Sequence, residues 1–481
     1  MADLSIDFCG IKSPNPFWLA SAPPANTGEQ VMRAFDAGWG GAVWKTLGDP
    51  IMNVTSRFGS VDYDGRKMMG LNNIELITDR PIEENLREIR EVKKRYPKNV
   101  IIASLMTETK DDWRVLIKRC EDAGADGLEL NFGCPHGMCE RGMGSSVGQE
   151  PKLLQEITSW TKEFAKTPVL VKLTPNTGDI LEPGLAAVAG GADGISLINT
   201  IKSIVGVDLD RMVPLPRVGR ASTNGGYCGP AVKPIALHMV AALARDPGVK
   251  IPISGIGGIS NWRDAAEFIA LGATSVQVCT AVMHYGYRIV EDMIEGLSEY
   301  LDSHGMKSVN ELRGRAVGAY QDWGDLDLGY KLVANIDAKT CIGCQLCVTA
   351  CNDGAHQCIF TGPGDRPRPP HAHTQGPAKA PNPIPVGLLA GDRVPWIDEP
   401  ECVGCNLCQL VCPVPAAFRW SKSRRDGKRR GMTASARAAT SSLAESTTLS
   451  KSPEGKPSPV RSQPNGGAMV HLGSGRVTVR S

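Results

Sequence analysis

The 481-residue chain contains no run of eighteen apolar residues, so no segment reads as a membrane-spanning helix. Its first residues, Met1-Ala-Asp-Leu-Ser-Ile-Asp, lack the basic stretch and apolar core of a secretory signal. No Gly-x-Gly-x-x-Gly follows a strand-like run to open a helix, which argues against a dinucleotide-binding domain. A large charge surplus is also missing, although the net +2 conceals an asymmetry. From Ser421 to the end there are twelve Lys or Arg against three Asp or Glu, leaving 41 against 48 in residues 1–420. A body at −7 carries no basic footprint for nucleic acid. Neither nucleic acid nor membrane is expected as a partner, and a cytoplasmic location is expected.

What is present is an ordinary globular composition, 42% hydrophobic and 22% charged, in a chain long enough for a full α/β barrel and a further domain. Of fifteen cysteines, eight fall in two clusters near the C-terminus. Outside a secretory context, clustered cysteines read as metal or iron–sulfur ligands, in a reducing compartment.

Residues 1–320 alternate short apolar runs with amphipathic stretches, the rhythm of a parallel sheet with crossover helices. Eight runs stand out: Phe17–Ser21, Gly40–Thr46, Val100–Leu105, Gly127–Asn131, Pro168–Leu173, Gly194–Ile198, Ile251–Gly255 and Thr274–Cys279. Between them Ile82–Arg95, Asp111–Ala123, Pro151–Phe164 and Trp262–Ala270 read as helices. The pattern predicts a (β/α)8 TIM barrel, with a doubly wound open sheet as the alternative. Two crossings, Gly48 to Asn99 and Thr200 to Lys250, are longer than a helix requires and are expected to build an active site on the C-terminal face.

Polar residues recur at the strand ends: Ser21, Lys45, Asn131, Lys172, Asn199, Thr200, Cys279 and Thr280. The last two strands run into Gly255-Ile-Gly-Gly-Ile-Ser260 and Val278-Cys-Thr-Ala281, where barrels often bind phosphate through backbone N–H groups. With Lys45 and Lys172 at other strand ends, this suggests a phosphorylated flavin. The fourth strand leads into Asn131-Phe-Gly-Cys-Pro-His-Gly-Met-Cys-Glu-Arg-Gly-Met-Gly144. A cysteine leaving a strand into a glycine loop, as Cys134 does, can donate a proton; it can equally be a small buried hydrophobe.

From about Val333 the pattern changes. Cys341, Cys344, Cys347 and Cys351, then Cys402, Cys405, Cys408 and Cys412, each have C-x2-C-x2-C-x3-C spacing, the bacterial ferredoxin run for 4Fe–4S clusters. Because the fourth cysteine reaches across, Cys341, Cys344, Cys347 and Cys412 should hold one cluster, and Cys402, Cys405, Cys408 and Cys351 the other. Structural zinc is the alternative. A ferredoxin-like α+β domain is therefore expected over 321–420, interrupted by an insertion at 361–400 that holds ten prolines and reads as a surface loop. His371 and His373 in it read as solvated side chains. Residues 421–481, with the basic patch Arg424–Arg430, read as a disordered tail.

The barrel residues resemble the dihydroorotate-dehydrogenase-like flavin barrels. The Asn131–Gly144 segment with Lys172-Leu-Thr-Pro-Asn176, joined to a two-cluster module, is more closely similar to the FMN- and iron–sulfur-carrying subunit of the bacterial NAD-dependent dihydropyrimidine dehydrogenase family. That resemblance implies reduction of the 5,6 double bond of uracil or thymine. NAD(H) and FAD would sit on a partner flavoprotein subunit of a hetero-oligomer, and electrons would pass through two 4Fe–4S clusters to FMN. By the same resemblance Cys134 would protonate C5. Asn73, Glu75, Asn131, Asn199 and Thr200 would bind the pyrimidine. Lys45 and Lys172 would lie at the isoalloxazine edge, and Ala22, Gly229, Gly257, Gly258, Cys279 and Thr280 would hold FMN. Position 133 is Gly where the single-chain animal enzymes have Ser, and His136 stands where dihydroorotate dehydrogenases generally have Asn. A dihydroorotate dehydrogenase-type enzyme and an electron-transfer module without its own substrate are the competing readings.

Overall fold

The computed structural model describes residues 1–48, 58–63, 66–135, 142–361 and 394–424. These fall into two compact units, Met1–Asp325 and the residues from Leu326 onward, dividing slightly beyond the boundary expected at 320. His136, His371, His373, the prolines of 363–385, most of the basic patch and the tail beyond it lie outside the described residues.

In the first unit eight parallel strands close into a barrel in chain order. They are β1 (Phe17–Leu19), β2 (Gly41–Leu47), β3 (Val100–Leu105), β4 (Gly127–Asn131), β5 (Val169–Lys172), β6 (Gly194–Leu197), β7 (Ile253–Ile256) and β8 (Ala273–Val278). Each falls on one of the eight apolar runs, because a strand buried on both faces has no polar side to show. The outer helices are α1 (Gly28–Ala37), α2 (Ile82–Arg95), α3 (Lys110–Asp122), α4 (Pro151–Phe164), α5 (Leu181–Ala189), α6 (Lys233–Arg245), α7 (Trp262–Ala270) and α8 (Ile289–Ser303). Local chemistry sets their ends. Thr109 with Asp112, and Asn261 with Asp264, form capping boxes that satisfy the first free N–H groups of α3 and α7. Helix α2 starts after Pro81 with Glu83 and Glu84 and ends in Lys93, Lys94 and Arg95, charges that complement its dipole. It buries Asn85, Leu86, Ile89 and Val92, one face at helical spacing, and Asn85 accepts the Trp44 indole N–H of β2 at 2.9 Å.

The two long crossings meet. Phe58–Tyr63 and Arg66–Asn73 from the first join Ile201–Ser203 and Gly225–Cys228 from the second in a four-stranded antiparallel sheet. In its register Asn73 faces Gly226 and Asn72 faces Tyr227.

The second unit is built on an antiparallel pair, Tyr330–Ile336 with Phe418–Arg424, and a shorter pair, Ile359–Phe360 with Trp396–Ile397. The ferredoxin-like arrangement is the expected one, with two corrections. Strand Phe418–Arg424 carries order four residues into the stretch read as tail, because Phe418 and Trp420, on one face of it, pack in the same cluster as their register partners Ile336 and Ala334. Trp396 and Ile397, assigned to the loop, are a strand, and Trp396 stacks on Phe360 at 5.0 Å. Both cysteine runs adopt one backbone form. Gln345 and Asn406, each after the second cysteine, take left-handed φ of 65° and 67° before a short helix, Leu346–Gly354 or Leu407–Leu410. Among the described residues no helix is long and apolar enough to cross a membrane.

Candidate active site

A cavity of about 1090 Å³ opens at the C-terminal ends of the barrel strands. It is walled by the strand ends and by Leu71, Asn73, Tyr227 and Cys228 of the inserted sheet. Every barrel residue singled out from the sequence lines it. Cys134, Asn73, Glu75, Asn131, Asn199 and Thr200 are there. So are Ala22, Lys45, Lys172, Gly229, Gly257, Gly258, Cys279 and Thr280.

Two buried ammonium groups reach this cavity, each beside a carboxylate. Lys45 Nζ lies 2.9 Å from Glu75 Oε1, so the cation of β2 is held by the loop after the inserted strand. Lys172 Nζ lies 3.5 Å from Glu129 Oε1. Glu129 is fully buried; its Oε2 accepts from Ser196 Oγ at 2.8 Å and Gln277 Nε2 at 3.0 Å. Its Oε1 has no hydrogen-bond donor, only the ammonium, so the contact with Lys172 is ionic. Ser254 continues the layer, accepting from Ser275 Oγ at 2.8 Å and from Gln277 Nε2 at 3.2 Å. Glu129, Gln277, Ser196 and Ser254 were not singled out from the sequence. The available signal was a carboxylate inside Gly127-Leu-Glu-Leu130, a run otherwise apolar enough to be buried on both faces.

A second chain of polar contacts fixes the amides. Thr46 Oγ1 lies 2.9 Å from Ser104 Oγ and 3.1 Å from Ser21 Oγ, and accepts Asn131 Nδ2 at 3.0 Å. Asn131 Oδ1 accepts Asn199 Nδ2 at 2.9 Å and Gly133 N at 3.2 Å, and Asn199 Oδ1 accepts Thr200 N at 2.8 Å. Each amide nitrogen thus spends one hydrogen on the protein and has a second left to donate. In this arrangement position 133 leaves no room for a side chain: a Cβ there would stand 2.3 Å from Asn199 Cβ and 2.5 Å from its Nδ2, so the amide would have to shift. If the pyrimidine expected from the sequence binds these amides, Gly133→Ala raises its KM about tenfold, one hydrogen bond's worth, with flavin content unchanged. Steady-state kinetics with a flavin assay measures both; an unchanged KM would remove Asn199 from the substrate contacts.

Cys134 is 7% exposed and packs with Ile77, Met106 and Met143. Its backbone oxygen accepts from Ser145 N at 2.9 Å, which anchors the far side of the glycine loop. Residues 136–141 of that loop lie outside the described residues.

At the other side of the cavity Gly229, Gly257 and Gly258 take left-handed φ of 95°, 132° and 72°. A Cβ on Gly258 would fall 2.8 Å from Gly229 O and 3.0 Å from Lys233 N, so the peptides pack too closely for any side chain. This cradle of bare backbone fits a phosphate. Gln277 Oε1, buried in the cavity wall without a donor, offers an acceptor to a ligand hydroxyl. Cys228 and Cys279 also line it; burial pushes both thiols up, and Cys228 raises Cys279 further. A glycine cradle, a free buried acceptor and two buried ammonium groups around one cavity are a donor and acceptor set that fits FMN.

In the second unit a smaller cavity of about 330 Å³ is ringed by Cys351, Cys402, Cys405 and Cys408. Backbone N–H groups already point at ligand sulfurs: Gly343 N to Cys341 at 3.4 Å, Cys358 N to Cys351 at 3.3 Å, and Val414 N to Cys412 at 3.4 Å. Such N–H···S bonds stabilise thiolate ligands. Burial pushes Cys347 up to about 12 and Cys408 to about 11. Thiols spread around one cavity in this way suit a cube.

Comparison with known proteins assigns a family to each unit. The dihydroorotate dehydrogenase family matches residues 3–301, and the 4Fe–4S dicluster domain matches residues 340–416. The NAD-dependent dihydropyrimidine dehydrogenase subunit PreA of Escherichia coli is 46% identical over 371 residues, 77% of this chain and 90% of that one. A chloroplastic dihydropyrimidine dehydrogenase (NADP(+)) of Arabidopsis thaliana is 42% identical, covering 67% of this chain and 79% of that protein. The catalytic subunit of dihydroorotate dehydrogenase B (NAD(+)) of Pyrococcus abyssi is 38% identical over 65% of this chain and 99% of its own length. The chain therefore belongs to the dihydroorotate dehydrogenase family, as a PreA-like member that joins the flavin barrel to a 4Fe–4S dicluster domain.

Proposed function

We propose that the chain is the pyrimidine-reducing subunit of an NAD-dependent dihydropyrimidine dehydrogenase, converting uracil or thymine to the 5,6-dihydro form. Membership of the family brings FMN to the barrel and 4Fe–4S clusters to the second unit. Electrons from NADH enter through a partner flavoprotein that carries FAD and the NAD(H) site, which accords with the subunit named in the bacterial relative and with the missing dinucleotide motif.

One observation carries the reading: the thiol of Cys134 and the paired amides of Asn131 and Asn199 share a cavity with two buried lysines and a glycine cradle. FMN, when bound, supplies hydride to C6 of the ring. Gly229, Gly257 and Gly258 would hold its phosphate through backbone N–H groups, with Ala22, Cys279 and Thr280 beside them. Lys45 and Lys172 place positive charge where a reduced, anionic flavin needs it. Asn131 and Asn199 each give an amide hydrogen to a pyrimidine carbonyl, and Asn73, Glu75 and Thr200 fix the ring nitrogens and the second carbonyl. Cys134 delivers a proton to C5, completing addition of two hydrogens across the double bond.

The test begins with composition. About eight irons and one FMN per chain are expected from the motif stoichiometry. Zinc in place of iron would overturn the cluster assignment. Chemically reduced protein should then be reoxidised by uracil or thymine and far more slowly by orotate. The reverse order would assign dihydroorotate chemistry, and no response of the flavin spectrum to any pyrimidine would leave an electron-transfer module.

A further inference from the structure

Two ferredoxin runs need eight cysteines, but the chain beyond Leu326 has nine. The ninth, Cys358, follows Cys351 by seven residues and is 4% exposed. It lines the same cavity as Cys351, Cys402, Cys405 and Cys408. Its backbone is fixed at both ends: the N–H donates to Cys351 Sγ at 3.3 Å, and the carbonyl accepts from Asp398 N at 2.8 Å. It leads directly into the paired strand Ile359–Phe360, while Cys351 sits on the helix Leu346–Gly354.

The two sulfurs are 3.7 Å apart. Two thiolates bound to one tetrahedral metal at about 2.3 Å stand about 3.8 Å from each other. A single iron position can therefore lie within bonding reach of both sulfurs, on the side that faces the cavity they share. The second cluster's cross-linking ligand has no such neighbour. Among the described residues Cys412 Sγ has hydrogen bonds only with the backbone of Val414, and no cysteine beyond these nine remains in the unit.

We propose that Cys358 is an alternative fourth ligand for the cluster held by Cys402, Cys405 and Cys408, able to take the iron from Cys351. In the exchange the Fe–Sγ bond to Cys351 breaks as the bond to Cys358 forms. The Cys358 proton passes to the Cys351 sulfur across their contact, so the iron keeps its oxidation state and the site its charge. One corner of one cluster thus has a spare thiol, and the corresponding corner of the other has none. The inference rests on the cluster assignment made above.

Anaerobic purification and iron counting test it. Cys351→Ala and Cys358→Ala should each retain about eight irons, while the double variant falls to about four. Cys412→Ala, lacking a spare, should lose iron as the double variant does. A Cys351→Ala protein that drops to seven or four irons, or cannot be recovered folded, overturns the proposal. Loss of iron from Cys358→Ala alone also overturns it, since Cys358 would then be the resident ligand. Cys351→Ser supplies an independent measurement at preserved side-chain size. A low-temperature EPR spectrum of its reduced clusters matching wild type means a thiolate has taken the iron; an altered spectrum means the serine oxygen has, against the proposal. Wild type with fewer than eight irons would instead sink the cluster assignment itself.

Discussion

Replacing Cys134 by alanine is expected to lower pyrimidine reduction about 10²- to 10⁴-fold, the usual contribution of a positioned general acid. FMN and both clusters should stay in place. The expectation combines geometry with a small structural penalty. Cys134 is nearly buried among Ile77, Met106 and Met143, and its anchoring bond to Ser145 uses the backbone oxygen, which alanine keeps. Removing one sulfur from such a packing site costs about 1 kcal/mol, too little to unfold a barrel of this size. The two half-reactions separate the roles: reduction of the flavin by a chemical donor should proceed at the wild-type rate, and reoxidation by uracil should not. Cys134→Ser, which keeps a weaker proton donor in nearly the same volume, should fall between. Uracil turnover of Cys134→Ala within a few-fold of wild type would return this residue to the status of a small buried hydrophobe.

The barrel was legible because its strands are buried on both faces. Such strands leave unbroken apolar runs, as in Val100–Leu105, and their helices carry separate start signals, as Asn261 and Asp264 do for α7. The candidate site was legible at strand ends, where polar residues interrupt those runs, and in the two cysteine spacings. What could not be read is pairing at a distance. Gly225–Cys228 lies against Arg66–Asn73 across more than 150 residues, and the first opens on two glycines while the second ends in Gly-Leu-Asn-Asn, so nothing local marks them as neighbouring strands. Phe418–Arg424 likewise looks like the start of a polar tail until Tyr330–Ile336 covers one side. The contact of Cys358 with Cys351 is of the same kind, for seven residues of turn and helix end decide where that sulfur points.

The Glu129–Lys172 pair offers the second large effect, on stability. Glu129 is sealed inside the barrel, and Lys172 is 6% exposed with its ammonium 3.5 Å away. Glu129→Gln removes the charge but keeps the shape, and the amide can still accept from Ser196 and conflicts with the Gln277 donor only if it flips. What it leaves is a buried ammonium without a counter-ion, and breaking a buried pair from one side costs about 3–5 kcal/mol. Lys172→Met does the converse, leaving a carboxylate supported only by a hydroxyl and an amide. Removing both charges together should recover most of the loss, because a buried pair gains little over neutral side chains of similar volume. Denaturant unfolding of the four proteins, followed by a barrel probe, measures the cycle. Single variants that are strongly destabilised beside a near-wild-type double variant would establish mutual neutralisation as the bond between the two residues. The double variant should still bind FMN weakly, since Lys172 is one of the cations facing the flavin cavity. If instead the double variant is as unstable as the sum of the singles, the two charges are held by Ser196, Gln277 and the cavity's other groups independently, and Glu129 does not position Lys172 at all.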